Sequence, residues 1–228
     1  MTGEILTPFH KKILSIFASL EESRAFYFTG GMALSAYYLQ HRLSEDIDLF
    51  CPTENLIPIT AKKFSEALIR HGVKIRPVRS FGSFWEAALS DNQNEIRFQL
   101  AYDTPFRLGN LTEQDGVCVH SLDDLAAGKL LALFARAEER DFIDVYCLAH
   151  ERGYTVERMI ELARKKDPGL DEYYLALAFE QAEGLPDDPA KLKLTLLQDI
   201  DMLQLKMFFK KHAVAILANH LLKRTPAG

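Results

Sequence analysis

The sequence predicts an α+β fold: a small mixed sheet followed by a helical C-terminal part. Three observations predict it. Residues 46–50, DIDLF, and residues 95–102, EIRFQLAY, alternate polar and apolar side chains with the period of a strand. Such runs are interleaved with helically spaced segments over the first half of the chain. From Ser121 onward every periodic segment has helical spacing. The expected organisation is an α/β core over residues 1–118 and a helical domain over residues 119–228.

Each element follows from local pattern. Residues 7–22 place Phe9, Ile13, Leu14, Ile16, Phe17 and Leu20 on one helical face. The run AFYF at 25–28 is read as a strand stopped by Gly30-Gly31, and 32–39 as a helix opening directly after the glycines. A helix over 60–71 ends at Gly72. Residues 73–77 and 84–89 are strand candidates, and Asp91-Asn92-Gln93-Asn94 is a turn before the 95–102 strand. In the second half, helices are expected over 121–137, 140–150, 155–165 and 171–180. The breaker LPDDP at 185–189 precedes one or two amphipathic helices within 192–222.

With 228 residues, 48% of them hydrophobic and 26% charged, the composition is that of a water-soluble globular protein. A net charge of −5 gives no global drive toward nucleic acid, although it does not exclude a local basic face. Three dispersed cysteines, Cys51, Cys118 and Cys147, suggest neither a disulfide framework nor a zinc site, and a reducing compartment fits them. The N-terminal segment lacks a signal-peptide pattern, and no apolar run approaches the roughly 20 residues of a membrane helix. The expectation is a cytoplasmic protein without membrane contact.

Asp46 and Asp48 stand two residues apart on a strand, so their carboxylates share a face. Their mutual repulsion is removed by a divalent cation. Mg²⁺ prefers oxygen ligands, keeps several waters and bridges to nucleotide phosphates. The other reading of the pair is a solvated strand end with Arg42 as an ion-pair partner. Gly30-Gly31 ends one strand and opens a helix, the arrangement in which backbone N–H groups come close to an anion; an ordinary strand-to-helix turn has the same pattern. His41 is placed near the acids, and the remaining six histidines are read as surface or helix-end residues. Trp85, with Phe81 and Phe84, is read as core packing rather than a base-stacking platform.

Taken in order, GGMALSAYYLQHRLSEDIDLF (30–50) resembles the first motif of the polymerase-β-type nucleotidyltransferases, and within them the AbiEii/AbiGii toxin branch. KLLALFARAEERDFIDVYCL (129–148) is similar to that branch's motif of a lysine, an arginine and Arg-Asp-x-x-Asp. The resemblance implies a nucleotidyltransferase core that moves a nucleoside monophosphate from an NTP to an RNA, protein or small-molecule acceptor. Asp46 and Asp48 would hold Mg²⁺. Gly30, Gly31 and Ser44 would seat the triphosphate, Lys129 would contact a phosphate, and Asp141 would be a site acid. Arg136 and Arg140 would meet a phosphate or RNA, or pair with Glu138 and Glu139. An antitoxin protein is the implied partner.

Two positions depart from the family pattern. Met32 stands where a small hydroxyl residue usually follows the glycines. Gln99 aligns with the third carboxylate of the wider superfamily, and a glutamine cannot accept a proton. Glu95 and Asp103 share its face but lie about 13 Å away along the strand. An NTP-binding module without turnover therefore stands beside the enzyme as a second expectation. Lys129 and Asp141 would lie about 18 Å apart on one straight helix. A break within ARAEER, with Asp141 as the cap of a new helix and Asp144 at its third position, would bring them together.

Overall fold

The computed structural model describes residues 5–224, and the chain divides into two compact units, Met1–Leu125 and Ala126–Gly228. The first unit carries a seven-stranded mixed sheet in the order β3-β4-β5-β2-β1-β7-β6. Its elements are α1 (Pro8–Ala18), β1 (Tyr27–Thr29), α2 (Gly30–Leu34), β2 (Asp46–Cys51), α3 (Leu56–Arg70), β3 (Lys74–Phe81), β4 (Phe84–Ser90), β5 (Glu95–Tyr102), β6 (Thr112–Gln114) and β7 (Val117–Val119). The β1–β7 and β2–β5 pairs are parallel, and the others antiparallel. The second unit contains the greater part of α4 (Leu122–Arg136), together with α5 (Glu139–Arg152), α6 (Val156–Lys166), α7 (Glu172–Glu180) and α8 (Met202–Arg224).

Alternation decides which sheet face is buried. On β2, Ile47, Leu49 and Cys51 point into the core while Asp46, Asp48 and Phe50 are half-exposed. On β5, Ile96, Phe98 and Leu100 do the same. Phe17 of α1 and Phe64 of α3 meet Phe98 from that side, with ring centroids 5.8 and 4.6 Å away. Trp85 joins them from β4, 6.2 Å from Phe98, so it belongs to the core as expected, whereas Phe81, at the end of the edge strand β3, is exposed rather than packed. Such aromatic contacts add about 0.5–1.5 kcal/mol each beyond buried area, and they fix β2 so that its acids face outward.

Several boundaries differ from the sequence expectation. Strand β3 runs four residues past Pro77, because β3 is an edge strand and a register shift falls between Pro77 and Arg79, where a proline costs no ladder bond. Strands β6 and β7, three residues each, carry too little pattern to have been expected. The helix after the glycines is α-helical only to Leu34 and continues as one π turn, Ser35–Leu39, closed by Gln40 at φ 54°. Residues 192–201 lie outside α8, which starts where the Asp201 carboxylate accepts from the N–H groups of Leu203 and Gln204. His10 is a helix-end residue, as one of the two expectations had it, but it is buried, and His120 is buried rather than at the surface. His10 closes the start of α1 with Thr7, and His120 stacks on Tyr27 while bonding Thr29.

In the second unit, Phe209 of α8 packs edge-on against Phe142 of α5 and Phe179 of α7, at 5.0 and 5.2 Å between centroids. Leu175, Leu205 and Ala213 complete that core. Among the described residues, no helix is long and apolar enough to cross a membrane.

Candidate active site

The glycine turn and the acid pair meet at the end of β1. Thr29 pairs with Asp48 across the β1–β2 ladder, which carries the following Gly30 under the Asp48 side chain. Gly30 has φ +75°, and a Cβ built on it would lie 2.1 Å from Asp48 Oδ2. No other residue fits, on both conformational and steric grounds. A Cβ on Gly31 would lie 2.6 Å from a terminal nitrogen of Arg42 and 3.2 Å from Ser44 Oγ. The first glycine therefore makes room for a carboxylate. The second leaves a place bordered by a guanidinium and a hydroxyl.

The π turn positions Arg42. Ser35 is buried, and its hydroxyl donates to the Arg42 carbonyl at 2.7 Å; π turns of this kind recur at functional sites. Arg42 is itself buried and donates to Leu43 O at 3.0 Å. The sequence offered Arg42 only as an ion-pair partner of the acids; its place against Gly31 and Ser44 is what the fold adds. His41 is fully buried and contacts Ser35, so it packs behind the turn. Met32 is also fully buried. Of the two residues that depart from the family pattern, this one serves the core.

Gln99 lies directly beside Asp48 in the parallel β2–β5 register, and Arg97 beside Asp46. Neither Glu95 nor Asp103 supplies a third acid. Glu95 is exposed and lies 3.4 Å from Arg76, whereas Asp103 accepts from the Tyr27 hydroxyl at 2.8 Å and from the Thr104 N–H. Among the described residues, no group of three His, Cys, Asp or Glu side chains could hold a metal ion. Two half-exposed carboxylates beside the amide of Gln99 still form a hard-oxygen donor set. That suits a cation which keeps most of its waters and shares phosphate ligands.

Sequence inspection missed one acid, Glu86. It lies opposite Gln99 on β4 and is 3% exposed. The signal was present in SFWEAALS, a lone carboxylate in an otherwise apolar strand.

The residues of the second motif form a cluster within the second unit. Helix α4 stops at Arg136, Ala137 adopts φ 50°, and α5 begins at Glu139. The expected break is there, but Asp141 is not its cap: Glu138 is, and Asp141 holds the third helical position. Its carboxylate accepts from Nε and one terminal nitrogen of Arg136, each at 2.9 Å, and from the Glu138 N–H at 3.3 Å. Asp141 is fully buried, and it holds the Arg136 guanidinium above its ordinary pKa. Lys129 meets Asp144, one turn further along α5, at 2.7 Å, with both residues buried. Arg140 pairs with Glu138 at 2.8 Å. Lys129 is thus neither a solvated helix lysine nor a partner of Asp141.

A family model described as the nucleotidyl transferase AbiEii toxin of type IV toxin–antitoxin systems matches residues 12–218. No curated protein matches the chain. Among solved structures, a candidate nucleotidyltransferase from H. pylori is 17% identical and superposes with a TM-score of 0.61 over 95% of this chain and 97% of its own. JHP933 from Helicobacter pylori is 19% identical, with a TM-score of 0.60 over 94% and 95%. Both likenesses concern the fold alone. The match over nearly the whole chain, through both motifs, makes this protein a member of the AbiEii nucleotidyltransferase toxin family.

Proposed function

We propose that the chain transfers a nucleoside monophosphate from an NTP to a hydroxyl of an RNA, protein or small-molecule acceptor, with Mg²⁺ held by Asp46 and Asp48. One observation carries this reading: two carboxylates share an accessible strand face, with Asp48 seated over a glycine that leaves room for nothing else. Mg²⁺, when bound with the nucleotide, supplies charge neutralisation and orients the phosphates. The acceptor oxygen bonds to the α-phosphorus, the bond from that phosphorus to the β-phosphate oxygen breaks, pyrophosphate leaves, and the hydroxyl proton passes to solvent. Catalysis of this kind is mainly positioning and electrostatics.

The chain's own residues divide that work. Arg42 and Ser44, bordering the Gly31 space, offer N–H and O–H donors to phosphate oxygens. Lys129 and Arg136 are the cations that the second motif offers to a phosphate, and Asp144 and Asp141 orient them. Arg140 meets a phosphate of the NTP or of an RNA acceptor. Family membership supports an antitoxin counterpart, and the cysteine pattern supports action in the cytoplasm.

The test incubates the protein with Mg²⁺, each α-³²P-labelled NTP in turn, total RNA and cell lysate. Covalent label that disappears in the Asp46→Asn/Asp48→Asn variant is the expected result, and the labelled species names the acceptor. Gln99 beside Asp48 favours one other reading, an NTP-binding module without turnover. NTP binding without any label supports that module, and label retained by the double variant removes the metal assignment.

A further inference from the structure

Across β4, β5 and β2 the register aligns Glu86 with Gln99 and Gln99 with Asp48, and likewise Ala88 with Arg97 and Arg97 with Asp46. Laterally paired residues point to the same side of a sheet. Asp46, Asp48, Arg97, Gln99 and Glu86 therefore share one face. On that face Glu86 is nonetheless buried, because two arginines cover it: Arg79 Nε lies 2.7 Å from Oε2, and Arg97 Nε lies 3.5 Å from Oε1. The same Arg97 Nε lies 3.6 Å from Asp46 Oδ1. One guanidinium is thus shared between a candidate metal ligand and a buried carboxylate.

The charges make this sharing consequential. A cation on Asp46 and the Arg97 guanidinium beside it repel each other and compete for the same oxygens. Arg97 is half-exposed, so its end can move. Glu86, buried and charged, needs cationic partners to stay so. Gln99, between them, is neutral and offers Arg97 no third carboxylate. We propose that Arg97 is a built-in counter-cation of the Asp46/Asp48 pair, and that Glu86 is the positioning residue that draws it aside and so sets the affinity of the pair for a divalent ion. The inference rests on the reading of Asp46 and Asp48 as metal-holding residues.

The experiment titrates the full chain with Mn²⁺ in the absence of nucleotide and follows free Mn²⁺ by electron paramagnetic resonance. It compares the unaltered protein, Glu86→Gln, Arg97→Gln, the Glu86→Gln/Arg97→Gln double variant and Asp46→Asn/Asp48→Asn. Arg97→Gln is expected to bind about five- to tenfold more tightly, the scale of removing one partly screened charge beside the site. Glu86→Gln is expected to bind more weakly by a similar factor, and the double variant to match Arg97→Gln, since Glu86 acts only through Arg97. A Glu86→Gln effect of equal size with and without Arg97 would mean a through-space charge and overturn the inference, as would no change in either single variant. Arg97 is half-exposed, so its variant still tests the counter-cation role if Glu86→Gln folds poorly, and unchanged affinity there overturns the inference by itself. Binding that is abolished by Asp46→Asn/Asp48→Asn but unmoved by the other variants defeats this inference alone. No such binding in the unaltered protein defeats the metal assignment and the inference together.

Discussion

The two charged clusters of this protein are built in opposite ways. In the first unit, Asp46 and Asp48 sit half-exposed on a strand face, like charges side by side, with a half-exposed arginine at 3.6 Å. In the second, Asp141, Asp144 and Lys129 are buried, and each aspartate faces its own cation at hydrogen-bond distance. A buried pair is held by its low-dielectric surroundings, and removing one partner leaves a charge that water cannot reach. The exposed pair has its cationic neighbour Arg97 in solvent-accessible surroundings, where attraction is screened, and a bound cation would offset the repulsion between its two members. The second cluster is held by its own burial, whereas under the proposed function the first is the one on which a cation would act.

Substitutions sharpen that contrast. The largest loss of stability is expected from Lys129→Ala, about 3–5 kcal/mol in urea unfolding, because Asp144 is left buried without its lysine. Replacing both partners by apolar residues, Lys129→Met with Asp144→Leu, should recover most of it. A milder response to Lys129→Ala would mean that water reaches Asp144. Next comes Gly30→Ala, at about 1–3 kcal/mol, from the positive φ and the displaced Asp48. Its Mn²⁺ affinity should fall with its melting temperature, and unchanged metal binding would separate the turn from the acid pair. Arg136→Lys should cost less than about 1.5 kcal/mol, since a lysine cannot span both oxygens of Asp141 but the site is partly screened by solvent. The smallest shift in stability, within about 0.5 kcal/mol, is expected for Asp46→Asn/Asp48→Asn. The same variant should lose Mg²⁺-dependent NTP binding in calorimetry. A large stability loss there would place the two clusters in the same class.

Local chemistry made much of this readable in advance. DIDLF and EIRFQLAY announced their strands through alternation, and the two motifs announced the family through residue type and order. The glycine pair pointed to an anion brought close to the backbone; what the structure shows against Gly30 is the Asp48 carboxylate. What stayed hidden depended on neighbours distant in sequence. Pro77 reads as a stop until β3 is seen to be an edge strand. Lys129 reads as a solvent-exposed helix residue until the turn at Ala137 sets α5, with Asp144, against α4. Arg42 reads only as an ion-pair partner of the acids until the π turn lays it beside Gly31.

The sequence by itself determined the fold class, the family and the two acids, because periodicity, glycine placement and motif order are properties of short stretches of chain. Only the tertiary structure decided which charges are buried, which carboxylate each cation holds, and that Glu86 and Asp46 share Arg97. Those outcomes depend on strand register and helix packing, which bring together residues many positions apart and set the dielectric in which their charges act.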